Sequence, residues 1–216
     1  MPYSDRWDTY TNGTVTVALD TITKIIGTSS LALSVNHTQA QANLVPTLTG
    51  GLPQPALRGK IRNVIRALSL GGGRIFGLAA VQSARNITTS GSAYLAYLNG
   101  THLTLGKITA GLSGTITILG DATFDLVTNL NYVLELEWNV DNAQLGGVDL
   151  TAKVRSITDL QSNQSEFTNM LLTTSIHKID KTAPLLTTLG QGLIFVTPAF
   201  PSTVDVRYDS TILFAV

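Results

Sequence analysis

Four cations, Arg58, Lys60, Arg62 and Arg66, occupy even positions within nine residues, while Ile61 and Ile65 hold odd ones. On an extended strand side chains alternate between faces, so all four charges share one side with Val64 among them. Such a stripe could dock an acidic protein surface, an anionic glycan or nucleic acid; as a solvated strand face it would also discourage edge-to-edge aggregation. The three histidines, His37, His102 and His177, are far apart and lack zinc-type spacing, and there is no cysteine. No metal site, cofactor or thiol nucleophile is therefore expected. No Gly-x-Ser-x-Gly, phosphate-loop or dinucleotide motif occurs. The run Gly71-Gly72-Gly73 leads into a strand-like segment, whereas phosphate cradling needs a helix N-terminus.

The wider composition restricts what such a stripe can be for. Only 13% of the 216 residues are charged, 14 Lys+Arg against 14 Asp+Glu, so the net charge is zero. Thirty Thr, fifteen Ser and twelve Asn carry the polar surface instead. A hydrophobic share of 44% argues against disorder, and neutrality argues against nucleic-acid binding driven by bulk charge. The start, MPYSDRWDTY, lacks the order of a signal peptide, and no apolar run approaches the length of a membrane helix; neither export nor a membrane partner is expected. The sequons at Asn12, Asn36, Asn86, Asn99 and Asn163 read as chance in a chain this rich in Thr and Ser.

The elements that must position these residues read as strands. Apolar residues alternate with Thr and other β-formers around Val15–Leu19, Leu31–Val35, Lys60–Ser69, Arg74–Gln82, Ala93–Leu98, Leu103–Thr109, Thr115–Leu119, Asn131–Asn139, Val148–Arg155, Leu193–Thr197 and Thr203–Val216. Gly- and Asn-rich turns separate them; Asn99-Gly100 predicts a two-residue type I′ hairpin turn. So many strands require two packed antiparallel sheets or a barrel, and all-β chains of this length commonly form one unit. The expectation is a single β-sandwich domain over 1–216, with an N-terminal arm at 1–13 and a long irregular loop at 40–57. In that loop Leu44, Leu48, Leu52 and Leu57 either meet a neighbouring subunit or fold back on their own sandwich. The arm's Tyr3, Trp7 and Tyr10 either anchor on a neighbour or close one end of the sandwich. A short helix is expected near Ser165–Leu172.

Three segments carry a family resemblance. Arg74–Leu78, then Ala93–Leu98, the Asn-Gly turn and Leu103-Thr104-Leu105-Gly106-Lys107-Ile108 form the first. Tyr132–Trp138 with Val148–Val154 is the second, and Val204–Phe214 the third. Their order resembles the concanavalin A-like jelly roll, particularly its laminin-G-like branch, of the kind found in phage virion proteins. The resemblance implies an all-β, two-sheet antiparallel jelly-roll sandwich with long loops. It also implies where chemistry would sit. The glycoside hydrolase branch carries Glu-x-Asp-x-x-Glu; here Glu135 and Glu137 share a strand face, but the third position is Val140 and the middle residue is Glu, so no catalytic dyad is expected. Calcium-binding lectins of this architecture gather Asp and Asn on loops. Asp121 and Asp125, Asp141 and Asn142, and Asp205 and Asp209 make no dense acidic loop and read as turn formers.

The sequence is read as a nonenzymatic structural component of a virus particle, a phage capsid decoration or knob protein or a tail appendage. It would self-associate, with a homotrimer favoured, and dock on a major capsid or tail protein in the virion. Arg58, Lys60, Arg62, Arg66, Trp7, Leu48 and Leu52 are the docking candidates. The alternative is a carbohydrate-binding, lectin-like module in which Tyr94, Tyr97 or Trp138 stacks on a glycan, although alternation with Leu134 and Leu136 also suits Tyr132 and Trp138 to a core.

Overall fold

The computed structural model describes residues 7–22, 25, 30–36, 40–46, 57–69, 75–140, 146–157, 170–186, 190–197 and 203–215. Among them there are fourteen strands and no helix: β1 (Trp7–Asn12), β2 (Thr16–Asp20), β3 (Ser30–Asn36), β4 (Ala40–Pro46), β5 (Arg58–Ser69), β6 (Ile75–Gln82), β7 (Ala93–Leu98), β8 (His102–Ile108), β9 (Thr117–Thr123), β10 (Tyr132–Asn139), β11 (Val148–Ile157), β12 (Met170–Asp180), β13 (Gly190–Thr197) and β14 (Thr203–Ala215). Two seven-stranded sheets form, in the orders β1-β4-β13-β6-β7-β8-β9 and β12-β11-β10-β5-β14-β3-β2. Every pairing is antiparallel. The fold is an all-β jelly-roll sandwich.

The two sheets bury their faces differently. In β11 apolar residues alternate with polar ones, and Val148, Leu150, Ala152 and Val154 are buried while Asp149, Thr151, Lys153 and Arg155 stay partly open to water. The second sheet therefore has one dry face and one wet one. All of β7 and nearly all of β6 are buried, because Ile87 and Leu112 from the connecting loops cover the far face of the first sheet above Leu95, Tyr97 and Ile194. Between the sheets Phe76, Leu78, Leu98 and Leu105 pack against Ile61, Ile65, Leu134, Leu136 and Leu150. Each such fully buried side chain contributes roughly 1.5–3 kcal/mol. Tyr208 of β14 crosses this core and donates its hydroxyl to the Ile194 carbonyl at 2.9 Å, so one buried polar group ties the sheets together. Gly77 admits no larger residue there: a Cβ would stand 2.1 Å from the Ala96 carbonyl oxygen.

Several sequence expectations are corrected. Residues 40–46 are β4, an interior strand of the first sheet paired with β1 and β13, and Leu44 is wholly buried; 47–56 lie outside the described residues. Trp7–Asn12 of the expected arm is the edge strand β1, with Trp7 packed partly buried against the core. Met170–Leu172 belongs to β12 instead of a helix, since its backbone pairs with β11; 165–169 are outside the described residues. At the β7–β8 hairpin only Gly100 has a positive φ, +102°. The Asn99 carboxamide accepts hydrogen bonds from the backbone N–H groups of Thr101 and His102, which makes a three-residue connection in place of the two-residue turn.

Candidate functional site

Register decides what the wet face of the second sheet presents. β10 runs antiparallel to β5 with Glu135 opposite Arg62, Glu137 opposite Lys60 and Asn139 opposite Arg58. On its other side β11 places Lys153 opposite Glu135, Thr151 opposite Glu137 and Asp149 opposite Asn139. Directly opposed side chains share a face, so the cations of β5 and β11 flank the carboxylates of β10 from both sides.

The contacts form two parallel rows. Arg62 donates to Glu135 at 2.7 Å and Arg155 donates to the other oxygen of the same carboxylate at 3.1 Å. Next along the strands, Lys60 and Lys153 reach Glu137 at 2.7 and 3.1 Å. Glu135 is only 1% exposed, yet the cations beside it keep about a quarter of their side-chain surface in water. Burial alone would raise the Glu135 carboxyl, but the hydrogen bonds from Arg62 and Arg155 outweigh it and hold the group below the usual carboxylate range. Glu137 is held down in the same way by Lys60 and Lys153 against its own burial. Both carboxylates are thus ionised at neutral pH, whereas glycoside hydrolysis needs one carboxyl raised so that it can donate a proton.

Beyond the second row the face opens into a cleft of about 330 Å³ walled by Arg58, Lys60, Glu137, Asn139, Asp149 and Thr151, with Gly59 and Trp138 also lining it. Asn139 has its Oδ1 buried without a hydrogen-bond partner, and Asp149 is held by the exposed His177 at 2.7 Å. At the opposite end Ile25 lies over Val64, Val133 and Ile157. Arg66, beyond that apolar cover, donates to Asn131 at 2.7 Å. The stripe read from the sequence is therefore one border of a charge lattice, and its β11 half, Lys153 and Arg155, was missed. The signal was present in the alternation of β11, but only pairing with β10 turns it toward the stripe.

The other candidates fall elsewhere. Tyr94 is buried in the main core and Tyr97 on the covered face of the first sheet, so neither offers a ring for stacking, which corrects the sugar-binding assignment for these two; Trp138, 4% exposed, packs in the main core and also lines the cleft. Tyr94 instead donates to Asp180 at 2.7 Å and accepts from the Leu185 backbone. The same Asp180 oxygen holds the buried ammonium of Lys107, which also donates to the Thr182 and Ala183 carbonyls. Burial together with the bond to Asp180 pushes the Tyr94 hydroxyl well above its ordinary range. His102 touches Thr101 and stands near Asp121, which accepts from Thr104; Asp205 pairs with Arg207. No metal-binding group of three or more such side chains occurs among the described residues. Leu48, Leu52, Tyr3, His37, Gly71–Gly73, Asp141 and Asn142 lie outside the described residues.

Solved structures of similar shape include the carbohydrate-binding module CBM66 of Bacillus subtilis, at 12% identity over 97% of this chain and 95% of that one, TM-score 0.55. The fold is the concanavalin A-like, lectin-type jelly roll. The VIP36 exoplasmic/lumenal domain, solved in a Ca2+/Man-bound form, matches at 12% identity over 97% of this chain and 83% of that one, TM-score 0.55. The marine PL-14 alginate lyase from Aplysia kurodai matches at 8% identity over 93% and 87%, TM-score 0.61. At these identities the likeness is one of fold. No family model matches the chain, and no curated protein is similar to it in sequence.

Proposed function

We propose that this chain is a noncatalytic carbohydrate-binding domain whose ligand lies on the wet face of the second sheet. The observation that carries the reading is the cleft at the end of β5, β10 and β11. Its volume is at the lower end of the roughly 300–1,000 Å³ usual for ligand pockets, and its walls supply charged, amide and hydroxyl groups. Polyhydroxylated ligands are recognised by such fixed donors and acceptors. The carbohydrate-binding module and the VIP36 domain, solved in a Ca2+/Man-bound form, give the reading support from fold. The depressed Glu135 and Glu137 favour binding over hydrolysis. A glycan array covering neutral and acidic oligosaccharides tests this: binding that is weakened by Asn139→Ala supports it, and a blank array overturns it.

A second reading, a virion component that self-associates and docks on a capsid or tail protein, draws on one observation. Ile118 of β9 and Leu171 and Leu172 of β12 are more than half exposed on strands that pack together at one flank of the sandwich. Exposed apolar groups of this kind suit subunit contacts. Light scattering at high concentration separates the readings, because a persistent monomer removes the support for self-association.

A further inference from the structure

We propose that the face built by β5, β10 and β11 takes an acidic glycan, a carboxylated or sulfated polysaccharide; this rests on the carbohydrate-binding reading above. Six of the 14 cations, Arg58, Lys60, Arg62, Arg66, Lys153 and Arg155, stand on the wet side of two of these strands, against three of the 14 acidic residues, Glu135, Glu137 and Asp149. The excess of three positive charges belongs to a chain of zero net charge, so the rest of the molecule carries the compensating negative charge. The cations are also held in place. Each carboxylate of β10 fixes one cation from β5 and one from β11, so these side chains reach the ligand with less rotamer freedom to lose. An incoming carboxylate or sulfate would receive charge-assisted hydrogen bonds from guanidinium and ammonium groups that remain partly open to water.

What the face lacks points the same way. Neutral hexoses are gripped largely by aromatic rings, and single-stranded nucleic acids by base stacking. Among the described side chains of β5, β10, β11 and β12, Tyr132 and Trp138 are the aromatic rings besides His177; both are buried in the core, and Trp138, which lines the cleft, is only 4% exposed, too little for a ring to stack on. Recognition there must come from charge and hydrogen bonding, which an acidic sugar supplies with every residue and a neutral one does not.

Isothermal titration of the full chain against polygalacturonate, dextran sulfate, neutral dextran and oligothymidylate tests the proposal. Polygalacturonate separates a preference for carboxylate from one for sulfate. The expected result is binding to at least one of the two acidic glycans and none to dextran. Affinity should fall as ionic strength rises toward about 0.15 M, where screening sets in within about 8 Å. Lys60→Gln combined with Lys153→Gln should weaken binding roughly tenfold, the loss of about one charge-assisted bond, and Lys60→Arg should keep it. Thr151→Glu, which adds a negative charge to the cleft and removes no member of either ion-pair row, should weaken binding similarly and serves if the double variant does not fold. Binding to neutral glycans that is indifferent to salt and to these variants overturns the acidic class and leaves the carbohydrate reading standing. No binding to any glycan, on titration or array, overturns both, and oligothymidylate bound as tightly as the acidic glycans overturns the glycan specificity.

Discussion

Replacing Glu135 by Gln tests whether the carboxylate holds the charged face together or merely lies within it. The carboxylate is almost fully buried and accepts from Arg62 and Arg155. Hydrogen bonds to charged groups are worth about 1.5–3 kcal/mol each, and removing one partner of a buried pair costs about 3–5 kcal/mol. Both guanidiniums retain about a quarter of their surface in water and can be partly resolvated, which brings the cost to the lower limit of that range or just below it, about 2–3 kcal/mol. For a domain of this size 1 kcal/mol shifts the melting temperature by about 2–4 °C, so calorimetry at neutral pH should show a drop of about 5–10 °C. The pH dependence separates an electrostatic cause from a steric one. Because the folded-state carboxyl lies below its ordinary value, its contribution is fully present above that value, about 4.3, and is lost as pH falls through the folded-state value. The wild-type and variant melting temperatures should therefore converge in acid. An unchanged melting temperature at neutral pH, or a difference that persists undiminished at the lowest pH at which both proteins fold, would refute the reasoning.

Two further outcomes follow from the buried polar groups. Lys107→Met leaves Asp180 and two backbone carbonyls without their ammonium and should cost about 3 kcal/mol in urea unfolding; a loss under about 1 kcal/mol would show that water replaces the ammonium. Tyr208→Phe removes a buried bond from the second sheet to the Ile194 carbonyl of the first and should cost about 1–2 kcal/mol with no change in the denaturant slope, measured by the same titration.

The parts of the site that were legible in the sequence are those set by local periodicity. Even spacing of Arg58, Lys60, Arg62 and Arg66 places them on one side of a strand whatever its neighbours are, and in β5 they do lie opposite Ile61 and Ile65. The aromatics could not be assigned in this way. Tyr94 and Tyr97 differ by an odd number of positions and so occupy opposite faces of β7, and either face could have been open. Ile87 and Leu112, from the β6–β7 and β8–β9 connections, fold over and close the outer one, which strand periodicity does not show. β4 was hidden for a related reason: Pro46, with two further prolines and a Gly pair after it, reads as loop composition, yet Asn43 is buried between β1 and β13 and donates to the Leu193 carbonyl across 150 positions of sequence.

The amino-acid order by itself determined the all-β class, most of the strands and the alignment of the β5 cations, because these depend on side-chain alternation over a few residues. It also carried the resemblance to the concanavalin A-like jelly roll, which the two seven-stranded sheets bear out. Only the tertiary structure decided which faces are dry, which aromatics are beyond a ligand's reach, and that the cations of β5 and β11 meet on the carboxylates of β10. Those outcomes depend on pairing register between strands far apart in the chain, where a slip of one residue would send every side chain to the other face.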